Sequence, residues 1–136
     1  MASHLRFQNP ETIAKPPGYT HVVEITGPGR LVYIAGQLGL EPSGKMAGGA
    51  GDFRAQAVQA FENVKAALAA AGGSFEHVVK INNYLVDMAH LPIFREVRDA
   101  YVNTNAPPAS TTVAIAKLAR EGALFEVEAV AVLPPK

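Results

Sequence analysis

Residues 124–133, LFEVEAVAVL, carry the pattern that most restricts what this chain can become. Phe125, Val127, Ala129, Ala131 and Leu133 fall on one side of an extended strand, and Leu124, Glu126, Glu128, Val130 and Val132 on the other, because side chains alternate along a pleat. The first side is wholly apolar. The second mixes aliphatics with two carboxylates, whereas a plain solvent face would be more polar. Such a face suits a surface that meets another chain and holds one polar pocket. Just upstream, residues 110–118 are rich in Thr111, Thr112, Val113 and Ile115 and read as a second strand. A short polar link over 119–123 joins the two.

Of the 136 residues, 49% are hydrophobic and 18% charged. That is a globular composition, with one domain expected over 1–136. Twelve basic and twelve acidic residues give a formal net charge of zero with no block of like charge. This argues against a nucleic-acid partner, which calls for a basic stripe. The chain has no cysteine, so disulfides, thiolate nucleophiles and cysteine metal sites are excluded. MASHLRFQNPET lacks an apolar run and is not expected to act as a signal peptide, and no segment approaches the ~20 apolar residues of a membrane span. A cytoplasmic location with no membrane partner is the expectation.

Taken in order, residues 4–8 read as a short edge strand stopped by Asn9-Pro10. Strands over 21–26 and 30–37 flank Gly27-Pro28-Gly29 and are expected to form a hairpin. Residues 38–51 form a glycine-rich loop. Its GLEPSGKM nearly matches a phosphate-binding loop, but Met46 lacks the hydroxyl that would meet magnesium, and no helix follows directly. A helix is expected over 52–71, capped by Asp52, with Phe53, Ala57, Phe61, Val64 and Leu68 as its apolar stripe and Gly72-Gly73 as its stop. Arg54, Gln56, Gln59, Glu62 and Lys65 are expected in solvent. A strand over 78–86 follows, then a second helix with Pro92 in its first turn and Leu91, Phe94, Val97 and Tyr101 as its stripe.

Candidate chemistry is sparse. His4, His21, His77 and His90 lack metal-ligand spacing, and no metal is expected. No serine sits in a G-x-S-x-G elbow. Glu126 stands out: mid-strand among apolar residues, an ionised carboxylate is costly unless paired or hydrogen-bonded, which marks functional candidates.

Several segments together resemble the Rid family, the YjgF-type proteins also labelled endoribonuclease L-PSP. They are Tyr19 after a proline-glycine turn, Ala35-Gly36-Gln37, Gln56 with Glu62-Asn63-Val64, Val78-Val79-Lys80, Tyr84-Leu85-Val86-Asp87, Pro107-Pro108-Ala109, and Phe125 through Ala131. The resemblance implies an α+β, chorismate-mutase-like fold: a single sheet in β-β-α-β-α-β-β order with both helices on one face, assembled as a homotrimer. It places a small-molecule ligand in clefts between subunits and requires no cofactor. In deaminating members, enamines and imines are hydrolysed to keto acids and ammonia. By position, Glu126 matches the water-orienting glutamate and Tyr19 the cleft tyrosine. Ala35 and Gly36 match the backbone lining the cleft, and Thr112 matches a position often held by cysteine. Ser110 stands where the family's carboxylate-gripping arginine belongs, and serine cannot form a two-pronged charged contact. Arg98, one turn before Tyr101, would replace that charge if it reached the cleft rather than pairing in solvent with Glu96 or Asp99. Three functions follow: a hydrolase of an imine, enamine or related C–N bond with altered preference, toward an uncharged or bulkier substrate; a non-catalytic ligand-binding or protective trimer; and a ribonuclease, which the charge balance disfavours.

Overall fold

The computed structural model describes residues 3–49 and 51–136. Its elements are β1 (Leu5–Gln8), β2 (Val22–Ile25), β3 (Arg30–Leu38), α1 (Phe53–Ala70), β4 (Val78–Leu85), α2 (Leu91–Tyr101), β5 (Ala109–Ala114) and β6 (Phe125–Leu133). The alternating β6 lies inside a four-stranded sheet of order β3-β6-β4-β5, antiparallel to both its neighbours. Phe125, Val127, Ala129, Ala131 and Leu133 are buried, and they pack with Ile81 and Leu85 of β4, Phe61, Val64 and Leu68 of α1, and Phe94 and Val97 of α2. Both helices therefore cover one face of a mixed sheet, as expected. On the other face, Leu31 and Tyr33 of β3 remain 58% and 76% exposed. They pair in register with Val132 and Val130.

The strand pairing differs from the expectation of a single sheet. The stretch at 4–8 is a strand, so the order begins β-β-β-α. β1 pairs antiparallel with β2, Leu5 opposite Ile25 through Gln8 opposite Val22. No β2–β3 hairpin forms, and β1 and β2 make a separate two-stranded sheet. The reason is the anchoring of β1. The backbone N–H of Thr26 donates to His4 O at 2.8 Å, the His4 ring nitrogen Nε2 bonds Val132 O at 2.7 Å, and Leu5 is buried with Val79 and Val132. Nor are β5 and β6 neighbours, because β4 lies between them. β5 runs parallel to β4, a pairing that requires a crossover, and α2 supplies it. β5 also ends at Ala114 rather than continuing to 118.

α1 starts as expected, with the Asp52 carboxylate accepting from Ala55 N at 3.0 Å. Gly72, at φ +86°, follows its last turn. One residue of its expected solvent face is instead in the core. Gln56 is 0% exposed. Its Nε2 donates to Gly122 O at 3.1 Å, and its Oε1 accepts from Leu124 N at 2.8 Å. The side chain thus satisfies two backbone groups of the link that delivers β6, which is why a polar residue is stable there. Residues 38–46 of the glycine-rich loop are also more ordered than its glycines suggest. Leu40 bridges Met46, and Asn63 Nδ2 donates to Leu38 O and Leu40 O at 3.1 and 2.9 Å.

Candidate functional site

The site residues named from the sequence fall into two groups on opposite faces of the sheet. On the open face, Glu126 of β6 sits opposite Tyr84 of β4. β3 carries a bulge here. Ile34 pairs with Ala129 and Gln37 with Val127, so Ala35 and Gly36 together face only Glu128. Bulges leave ladder groups unpaired and re-aim the strand. The Glu126 carboxylate lies directly against Gly36, where an added Cβ would be 2.8 Å from the Glu126 Cδ. Only glycine admits the carboxylate to that position. Glu128, next along this face, accepts from Tyr84 Oη at 2.6 Å and from Asn82 Nδ2 at 3.4 Å. Burial, and then the neighbouring Glu128 charge, push the Glu126 pKa up. The same hydrogen bond to Glu128 raises the Tyr84 phenol.

On the helix face, Tyr19, Arg98, Ser110 and Thr112 line a cavity of about 530 Å³, together with Arg95, Thr111 and apolar residues that include Leu91 and Phe94. Tyr19 is placed by the residue after it. Thr20 is buried, its hydroxyl donates to Pro107 O at 2.5 Å, and its N–H donates to Pro108 O at 3.2 Å. The Tyr19 loop is therefore clamped to the segment leading into β5. Arg98 is 6% exposed and is not the solvated helix arginine considered from the sequence. Its guanidinium sits 5.6 Å from the Phe94 ring centroid and donates through Nε to Asp99 Oδ1 at 2.9 Å. It also packs on Gly18, where an added Cβ would be 2.9 Å from Cζ. Arg98 follows Phe94 by four residues, so it shares the apolar stripe of α2. That spacing was the available signal for its burial.

Asn83 was missed. It is 0% exposed, and its Nδ2 donates to Ser110 Oγ at 3.0 Å, Thr111 O at 3.2 Å and Thr112 Oγ1 at 3.2 Å. An asparagine in register with Ile81 and Leu85, on the core-facing period of β4, was its signal. Arg95 was also missed, because it precedes Arg98 by three residues and reads as ordinary helix surface.

Among the described residues, no group of three or more histidine, cysteine or carboxylate side chains converges to hold a metal. His4 and His21 instead bond main-chain carbonyls, of Val132 and Ala14. Among the same residues, no helix is long and apolar enough to cross a membrane.

Residues 10–133 match the family model described as Endoribonuclease L-PSP. The chain belongs to this family, the Rid proteins. It is 39% identical to Protein DfrA of Myxococcus xanthus over 84% of each chain. It is 35% identical to the human 2-iminobutanoate/2-iminopropanoate deaminase over 127 residues, covering 90% of this chain and 88% of the other. The fold of this Rid chain superimposes on that of YyfB from Yersinia pestis, a Rid family protein, with a TM-score of 0.81. The sequence identity is 31%, and the match covers 96% of this chain and 99% of that one.

Proposed function

We propose that this Rid protein hydrolyses the C=N bond of imines or of their enamine tautomers, releasing ammonia, at a site completed between subunits of a homotrimer. The observation that carries this reading is the Glu126 carboxylate, half-buried against Gly36 beside a strand bulge, with its pKa raised. A carboxylate in that state can orient a water and take up or return a proton. The water oxygen adds to the imine carbon while a proton goes to nitrogen. The resulting carbinolamine then expels ammonia and leaves a carbonyl. The name of the human relative, an imine deaminase at 35% identity, supports the same chemistry.

The helix-face cavity supplies the substrate pocket. Ser110 takes the place of the family's arginine, and Arg98 provides the guanidinium from the facing wall. An uncharged substrate, expected from Ser110 alone, does not suit a cavity that two arginines line. Glu126 and Arg98 belong to opposite faces of one sheet, so the two halves meet only when the open face of one protomer lies against the β5 edge of another. The exposed Leu31 and Tyr33 of β3 give that open face, beyond the part that β1 covers, the apolar surface an interface uses.

The test is ammonia release from freshly generated 2-iminopropanoate and larger imino acids, with Glu126→Gln and Ser110→Arg alongside the natural chain. The expected result is turnover that Glu126→Gln lowers by about 10²–10⁴-fold while ligand binding survives. Turnover that is absent, or unchanged by Glu126→Gln, would overturn the reading in favour of a binding role.

A further inference from the structure

The polar positions of the helix-face cavity are hydroxyls and guanidinium groups, each able to donate a hydrogen bond. Thr111 O can only accept a hydrogen bond, and it lies 3.2 Å from Asn83 Nδ2, which fixes the amide with its NH₂ toward β5. Ser110 Oγ and Thr112 Oγ1 therefore share the second amide proton as acceptors, and each hydroxyl keeps its own proton free to donate into the cavity. Arg98 adds a buried guanidinium whose Nε alone is engaged by Asp99. Arg95 also lines the cavity, and among the described residues it forms no ion pair. Among the described residues no carboxylate lines the same wall, Asp99 meeting Arg98 from outside the lining. Arg95 and Arg98 are three residues apart on one helix, a spacing that sets their Cβ atoms about 5–6 Å apart. Asp99 balances one of these two charges, and Arg95, exposed on the helix, carries the other, so the cavity offers two separate groups that can each take a carboxylate oxygen.

We infer that the preferred ligand of this cavity is a short dicarboxylic acid: the imine of an acidic amino acid, and its keto diacid product. This rests on the imine-hydrolase reading and narrows it. One carboxylate takes the Ser110 and Thr112 hydroxyls with Arg98, and the distal carboxylate takes Arg95. Arg95 is then the specificity residue, and Asn83 a positioning residue that acts through the two hydroxyls.

The experiment compares binding of oxaloacetate and pyruvate by calorimetry to the natural chain and to Arg95→Met, with inorganic phosphate as competitor. The same two proteins are assayed for ammonia release from the corresponding imino acids. The expected result is oxaloacetate binding about tenfold tighter than pyruvate, the worth of one charge-assisted contact. Arg95→Met should remove that preference and leave pyruvate binding unchanged. Equal affinities, a preference that survives Arg95→Met, or phosphate competing as well as oxaloacetate would each overturn it. If the preference is present but nothing is turned over, the dicarboxylate pocket stands and the hydrolase reading fails. Turnover without the preference leaves the hydrolase reading standing and removes the dicarboxylate pocket. In Asn83→Leu, an intact fold with both acids bound more weakly is expected, and unchanged affinity for both would remove the positioning role.

Discussion

Ser110 and Glu126 stand on opposite faces of one sheet. Ser110 is bonded to Asn83 of β4, and Glu126 lies opposite the next residue along that strand, Tyr84. Successive strand residues point to opposite faces, so no rotamer change brings the two together within a protomer. The catalytic and recognition halves are consequently separable by mutation, and each has its own physical signature.

The contact between Gly36 and the Glu126 carboxylate tests the first half. A Gly36→Ala methyl would lie 2.8 Å from Glu126 Cδ, so the carboxylate must move. Loss of about 10²-fold in kcat is expected, the cost of misplacing a catalytic group by roughly 1 Å. Circular dichroism should stay unchanged, since Gly36 does not need a positive φ. Full activity in Gly36→Ala would show that the position of Glu126 is not critical.

Stability against pH reports the raised Glu126 pKa directly. The unfolded chain ionises this group near 4.5, and the folded chain ionises it higher. Between those values the folded state holds the extra proton, so this group makes stability fall as pH rises. Above both values the whole cost of a desolvated charge beside Glu128 is present. Glu126→Gln should therefore melt at a higher temperature than the natural chain at neutral pH, with the gap closing as pH drops below 4.5. A gap that does not vary with pH would contradict the assignment.

Gln56 is the structural counterpart. Its amide satisfies Gly122 O and Leu124 N at 3.1 and 2.8 Å in a fully buried position. Gln56→Leu leaves both backbone groups without partners, each worth about 1–3 kcal/mol. Thermal unfolding should shift down by several degrees. An unchanged midpoint would mean that water replaces the amide.

Tyr101 offers a spectroscopic check on the packing of α2 against α1. Burial first, and then its hydrogen bond to Glu62 at 2.6 Å, push this phenol up to about 12. Ultraviolet titration should show one tyrosine ionising near 12 that is missing from Tyr101→Phe. Glu62→Gln should lower that value only in part, because burial is the larger cause. A titration without this late tyrosine would place Tyr101 in solvent.

The helices and the faces of β6 were legible because periodicity reports burial on a single element. Phe53 to Leu68 on α1 and Phe125 to Leu133 on β6 follow their stripes. Pairing between strands was not legible. The turn at Gly27-Pro28-Gly29 suggested a hairpin, yet β1, anchored through His4 and Leu5, takes β2. The nearness of β5 and β6 in sequence hid the insertion of β4. Buried polar residues were harder to read for a related reason. Gln56, Asn83 and Arg98 each lie on the buried period of their element, and for Gln56 and Asn83 only a partner distant in sequence makes burial tolerable. Those partners are Gly122 and Leu124 for Gln56 and Ser110 and Thr112 for Asn83, whereas Arg98 combines the distant Gly18 with its near neighbours Phe94 and Asp99.

The most direct test of a site shared between subunits is complementation. Glu126→Gln and Arg98→Met chains are unfolded together, refolded as a mixture, and assayed for ammonia release from an imino acid. Each variant alone should be inactive. In mixed oligomers some clefts combine the intact Glu126 of one subunit with the intact Arg98 of another. Recovery of activity on mixing is the expected result. Mixtures that stay as inactive as the separate variants, from a natural chain that is active, would place both halves of the site in one protomer and contradict the shared cleft.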